Sequence, residues 1–113
     1  MTTSSGSNED VLLVGPILAT GEVAAAITAA IVALNPGVSI VDRGSYVRVM
    51  VPGRCHVTRA MIECHLGAPF ELPRGLEAVM MSFKGALKLT PDAAEWLDRR
   101  EAGASMAPPE RES

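Results

Sequence analysis

Residues 34–52, LNPGVSIVDRGSYVRVMVP, constrain the fold of this chain more than any other stretch, because they hold a helix stop, two strands and the turn between them. Asn35-Pro36-Gly37 ends the preceding helix: the residue before a proline is pushed out of the α region, and glycine accepts the left-handed geometry that closes a helix. An extended segment follows. Val38, Ile40 and Asp42 fall on one side of it and Ser39, Val41 and Arg43 on the other; after the turn, Tyr46, Arg48 and Met50 alternate with Val47, Val49 and Val51. This predicts a hairpin with one apolar face. Asp42 caps the turn through its carboxylate and Gly44 supplies a positive φ, so the register is set locally. Pro52-Gly53 closes the second strand, since proline cannot donate to a ladder.

Around this hairpin there is room for one domain, because 113 residues are too few for two independent cores. A net charge of −3 and an aromatic content of 4% argue against nucleic acid, whose binding rests on neutralised phosphates and stacked bases. The longest weakly polar stretch, 23–34, is short of the ~20 residues that span a bilayer, and residues 1–8 are small and polar rather than a signal segment. The expected location is the cytoplasm.

Before the hairpin, residues 1–9 read as a disordered tail. Residues 10–18, DVLLVGPIL, read as a buried strand interrupted at Gly15-Pro16, where proline implies a bulge, an edge or the strand's end. Thr20 is the expected N-cap of a helix whose Val23, Ile27, Ile31 and Leu34 recur at helical spacing, with alanines that permit close approach to a sheet. The first half is thus β-α-β-β. Beyond Gly53, residues 54–57 are too short to assign, Thr58 caps a second helix over 59–66, and Gly67 ends it. A loop at 68–75 is held by Phe70 and Leu72. Residues 76–83 are apolar on both faces after Glu77, as in a central strand covered on both sides; Met80 and Met81 suit such a core or an adaptable contact surface. Residues 86–89 form a further strand. For 90–98 two readings compete, a helix started by Thr90-Pro91-Asp92 and a short edge strand carrying Ala94 and Trp96. From Arg99 the chain turns charged and then Pro/Ser-rich, which predicts a second disordered tail at 99–113. The expectation is one α/β (α+β) domain over 10–98, two β-α-β-β halves whose mixed sheet is packed by two main helices.

Catalytic patterns are missing. Cys55 and Cys64 lie nine positions apart, outside zinc and redox spacings, and each precedes a histidine, His56 or His65, that points elsewhere on a strand or helix. Glu63 and His65 occupy different helix faces and make no metal pair. The glycines form no phosphate loop. A compact domain without a site acts by contact.

Five short motifs in order, Val14-Gly15-Pro16-Ile17, Asn35-Pro36-Gly37, Asp42-Arg43 with Tyr46-Val47-Arg48, Leu66-Gly67 with Pro69-Phe70, and Ser82-Phe83 with Gly85, resemble the effector proteins of soluble bacterial diiron monooxygenases, also called coupling or regulatory proteins. The likeness is greatest to the short effectors of the toluene and alkene, including isoprene, systems. The resemblance implies split βαββ halves, no cofactor, a free monomer, and docking on the hydroxylase component that carries the diiron centre, within a system that also has a reductase and a Rieske-type ferredoxin. It also implies that 92–97 is a strand. The expected partner contacts are Asn35, Pro36, Gly37, Arg43, Gly44, Arg59, Ser82, Phe83, Lys84 and Gly85; the resemblance implies the first of these, for which a plain helix C-cap is the alternative, while Arg43 is chosen for arginine's enrichment at interfaces, and Tyr46 and Arg48 are expected to hold the sheet together and Phe83 to reach the core. The competing reading is a βαββ domain that senses a small molecule; a third is a small cysteine enzyme.

Overall fold

The computed structural model describes residues 12–98, so both expected tails, 1–9 and 99–113, lie outside the described residues. Two halves of the chain repeat one plan. In the first, β1 (Leu13–Ala19), α1 (Glu22–Leu34), β2 (Ser39–Asp42) and β3 (Tyr46–Pro52) follow in sequence; in the second, β4 (Arg54–Thr58), α2 (Arg59–Leu66), α3 (Arg74–Val79), β5 (Met80–Lys84), β6 (Ala86–Leu89) and β7 (Ala93–Leu97). Each half ends in a hairpin whose last strand lies beside the first strand of that half, giving the orders β2-β3-β1 and β4-β7-β6; β5 joins the free side of β1. The α+β class holds. The expected mixed sheet is instead two antiparallel ones. β1 and β2, joined by a helix crossover, run the same way, but β3 is inserted between them, so every neighbouring pair is antiparallel.

The hairpin forms as its residues predict. Asp42 Oδ1 accepts from the Gly44 amide at 2.8 Å, Gly44 has φ 89°, and Arg43 N donates to Tyr46 O at 2.8 Å. Helix α1 starts differently. Thr20 is not its cap: the Thr20 amide donates to Ser45 O across the hairpin turn, which keeps Thr20 in the strand connection, and Gly21 takes the cap position with no side-chain bond. Its carbonyl accepts from the Ala25 amide. Helix α2 follows the prediction at both ends, with Thr58 Oγ1 accepting from Met61 N and Gly67 left-handed at φ 76°.

Elsewhere the structure assigns one open stretch and corrects three expectations. Residues 54–57 are a strand, β4, whose edge is set by pairing with β7. Residues 76–83 are not a central strand. Leu76 and Met80, four apart, turn inward together, and the carbonyls of Glu71 and Pro73 accept from the amides of Gly75 and Glu77, so the chain is helical until Val79. What remains extended is β5, an edge with Met81 60% and Phe83 38% exposed; an uninterrupted apolar run does not by itself distinguish a covered strand from a helix. Phe83 is therefore not core. Residues 93–97 are a strand, as the resemblance implies, but the middle one of its sheet rather than an edge, with Trp96 fully buried.

The core lies between the two sheets and the helices. Val14 and Leu18 of β1, Val49 and Val51 of β3, Ala26, Ala30 and Ile31 of α1, Cys55 and Val57 of β4, Ile62 of α2 and Trp96 of β7 form one cluster. The alanines let α1 sit close to the sheet. Phe70 and Leu72 pin their loop into the same cluster, and the Phe70 amide donates to Glu63 Oε2 at 3.0 Å. At Pro16 the β1 pairing with β3 lapses, and the β1–β5 register shifts between Ile17 and Leu18: the proline sits beside a bulge, one of the three outcomes its missing N–H permits.

Candidate docking surfaces

Strand register assigns each side chain a face. In the four-stranded sheet, Val14, Leu18, Val47, Val49, Val51, Ile40 and Asp42 point to the core side; Leu13, Ile17, Tyr46, Arg48, Met50, Ser39, Val41, Ser82 and Lys84 point to the opposite side. Leu13 pairs with Pro52, Gly15 with Lys84, and Ser39 with Met50. The end of α1, the start of β2 and the end of β5 therefore share one rim of the sheet. Asn35-Pro36-Gly37 and Lys84-Gly85 lie along it, separated by three strand spacings or about 14 Å.

The other expected contacts lie elsewhere. Arg43 and Gly44 occupy the hairpin turn beside Thr20, the far end of α1; a 13-residue helix spans about 20 Å. Arg59 opens α2 at the distant end of β4, where its amide donates to Asp92 O at 2.7 Å and its guanidinium meets Asp92 Oδ1 at 3.5 Å. The ten residues thus form no single patch.

Asn35 is engaged inside the molecule. Its Nδ2 donates to Ile31 O at 2.8 Å and to His56 O at 2.7 Å, while its Oδ1 accepts from His56 N at 3.0 Å. The carboxamide pairs with the free edge of β4 as a neighbouring strand would, and so ties the first half to the second. Residues 54–57, unassigned in the sequence, gave no strand for Asn35 to pair with. Pro36 and Gly37 stay exposed and, with Leu34, Asn35, Val51, Pro52, Arg54 and His56, line a cleft of about 560 Å³. A second, more apolar groove of about 690 Å³ separates the alanine side of α1 from Ile40 and Val47.

The cysteines do not make a nucleophilic site. Cys55 is buried in the core, and desolvation pushes its thiol up to about 12, so at neutral pH it stays protonated and inert. Cys64 is exposed on α2. In native protein at pH 8, a maleimide is expected to label one thiol within minutes and the second only after denaturation; two rapidly labelled thiols would contradict the buried placement of Cys55. No group of His, Cys, Asp and Glu among the described residues could hold a metal ion.

The comparisons with known proteins agree with this architecture. The model of the MmoB/DmpM family matches residues 12–97. The effector subunit of the alkene monooxygenase system of Xanthobacter autotrophicus (strain ATCC BAA-1158 / Py2) is 39% identical over 98 residues, covering 85% of this chain and 96% of the relative. A chain from the structure of the phenol hydroxylase–regulatory protein complex superimposes with a TM-score of 0.69 at 16% identity, covering 76% of this chain and 98% of its own. At that identity the likeness is one of fold.

Proposed function

The chain belongs to the MmoB/DmpM family, and from that membership we propose that it is the non-catalytic effector of a multicomponent alkene- or arene-oxidising monooxygenase, acting by docking on the diiron hydroxylase component. The observation that carries this reading is the 39% identity to an alkene monooxygenase effector subunit across 96% of that relative's length. The physical features are consistent with it: a well-packed core, a low-reactivity buried thiol and large exposed sheet edges suit contact rather than chemistry. No helix among the described residues is long and apolar enough to cross a membrane, and the proposed location is the cytoplasm, with the hydroxylase, a reductase and a Rieske-type ferredoxin as the remaining components.

Docking acts through differential binding. An effector shifts the hydroxylase only to the extent that it prefers one hydroxylase conformation over another; a coupling of about 1–3 kcal/mol changes a population 5- to 150-fold. Pro36 and Gly37 at the rim, Arg43 and Gly44 at the hairpin turn, and Ser82, Phe83 and Lys84 of β5 with Gly85 after it are the proposed contacts. In this reading Asn35 supports the surface from within by holding Pro36-Gly37 against β4, and Arg59, exposed and paired with Asp92 at the distant end of β4, lies apart from it.

The test is complex formation. Sedimentation of this protein with the purified hydroxylase of the Xanthobacter alkene system is expected to yield a joint species, with no joint species formed by the reductase alone. A hydroxylase that sediments unchanged at effector concentrations of tens of micromolar would overturn the reading.

A further inference from the structure

One side of the four-stranded sheet faces away from the hydrophobic core. Helix α1 packs against the side occupied by Val14, Leu18, Val49 and Val51. Register places Ser39 and Val41 of β2, Tyr46, Arg48 and Met50 of β3, Leu13 and Ile17 of β1, and Ser82 and Lys84 of β5 on the opposite side. Its centre is apolar. Met50 is buried there, at 4% exposure, yet stands outside the core cluster, while Val41 and Leu13 remain exposed around it.

Among the described residues the charges of that face are all of one sign. Arg48 and Lys84 project from it and Arg43 stands at its hairpin end, and none of the three forms an ion pair among the described residues. Among the described residues no Asp or Glu shares the face: the one acid of the hairpin, Asp42, pairs with Val47 and so lies on the core side, where its carboxylate is spent on the Gly44 amide. This cationic surface sits on a chain whose net charge is −3. Exposed Val41 and Leu13 beside half-buried Tyr46 and Arg48 have the composition of a protein interface, and charge complementarity sets which partner it accepts.

Resting on the functional reading above, we infer that this sheet face is the primary docking surface, and that it fits an acidic patch on the hydroxylase with an apolar centre. Two other occupants are disfavoured by the same charges. A second copy related by two-fold symmetry would bring Arg48 and Lys84 against like charges. Nucleic acid needs more phosphate contacts than three cations supply. Arg48 and Tyr46 thereby become contacts in addition to their place in the sheet, and the far-lying Arg59 does not take part.

The experiment measures the affinity of the full-length chain for the purified Xanthobacter alkene monooxygenase hydroxylase by calorimetry between 50 and 500 mM NaCl. Wild-type protein is compared with Arg48→Glu/Lys84→Glu, with the milder Arg48→Gln/Lys84→Gln, and with Arg74→Glu on the exposed start of α3 as a control for net charge. Thermal melting reports whether each variant is folded. The double reversal is expected to raise Kd at least about tenfold and to flatten its salt dependence, with the neutral pair between it and wild type and the control within twofold of wild type. Equal affinities for wild type and both double variants overturn the inference while leaving the effector function standing. So does an equal loss in Arg74→Glu, which would report overall charge rather than this face. A wild-type dimer in sedimentation that the reversal dissociates, or binding to phosphatidylglycerol vesicles that it abolishes while hydroxylase affinity holds, assigns the face to another occupant and also overturns it. If wild type itself fails to bind, the functional reading falls first and the inference with it.

Discussion

Replacing Trp96 with alanine is expected to remove about 3–5 kcal/mol of folding stability, the range for truncating a large buried aromatic. Trp96 is fully buried in the middle strand of the three-stranded sheet, flanked by Cys55 of β4 and Leu87 of β6, so its neighbours cannot collapse into the space without breaking two ladders. Against a total stability of about 5–15 kcal/mol for a domain of this size, the variant would be largely unfolded well below the melting temperature of the wild type. Urea denaturation followed by far-ultraviolet circular dichroism measures it, because the substitution removes the only tryptophan. A loss under about 1 kcal/mol would show that β7 is not central. Trp96→Phe is expected to be much milder: the indole Nε1–H has no acceptor among the described residues, so phenylalanine removes an unsatisfied donor, worth about 1–3 kcal/mol, along with part of the buried area.

The second large effect is at Asn35. Asn35→Asp places an oxygen where Nδ2 now donates to two carbonyls, at 2.8 and 2.7 Å, turning two attractions into repulsions and leaving only the bond from the His56 amide. The expected destabilisation at pH 7.5 is about 2–4 kcal/mol, from the lost bonds and the charge left against acceptors. It is pH-dependent with a definite sign. The two carbonyls favour the protonated carboxyl, so its pKa in the folded state rises above the unfolded value of about 3.9. The penalty is complete above the folded-state pKa and shrinks as the pH falls through it, because the folded state then binds the proton more tightly than the unfolded state. Asn35→Ala, which loses the bonds without gaining a charge, is expected to cost about 1–3 kcal/mol with no such dependence. Stability curves of the three proteins at pH 5 and 7.5 check this. If both variants were as stable as wild type yet bound hydroxylase weakly, Asn35 would be a partner contact and not an internal tie.

The parts of this fold that short-range chemistry dictates were legible. Asp42 and Gly44 specify their turn, Thr58 and Gly67 bound their helix, and Asn35-Pro36-Gly37 stops α1, each through bonds within a few residues. Where partners come from far along the chain, the reading failed. Residues 54–57 are a strand because β7, some forty residues later, pairs with them. Residues 76–79 are helical because Leu76 and Met80 turn inward together, a preference that a run apolar on both faces hides. Thr20 lost the cap to Gly21 because Ser45 claims its amide. The resemblance supplied what local patterns could not, notably that 93–97 is extended.

The candidate surface was legible in part. The alternation of Tyr46, Arg48 and Met50 against Val47, Val49 and Val51 already separates two faces, but which face is covered depends on where α1 packs and on β1 and β5 completing the sheet. Asn35 and Arg59 were expected as partner contacts, whereas Asn35 is tied to β4 and Arg59 to Asp92. Polar residues beside a turn can serve the fold or a partner, and only the positions of distant backbone groups decide between them.

The most direct test of the central claim is steady-state hydrocarbon oxidation by an alkene-type hydroxylase with its reductase and ferredoxin, titrated with this protein. No oxidation is expected from this protein alone. Added protein is expected to raise the rate of product formation until it saturates near one effector per active site, unchanged by Cys55→Ala and Cys64→Ala. A rate that does not respond to the protein at any ratio, or a response abolished by the cysteine substitutions in folded protein, would contradict that claim.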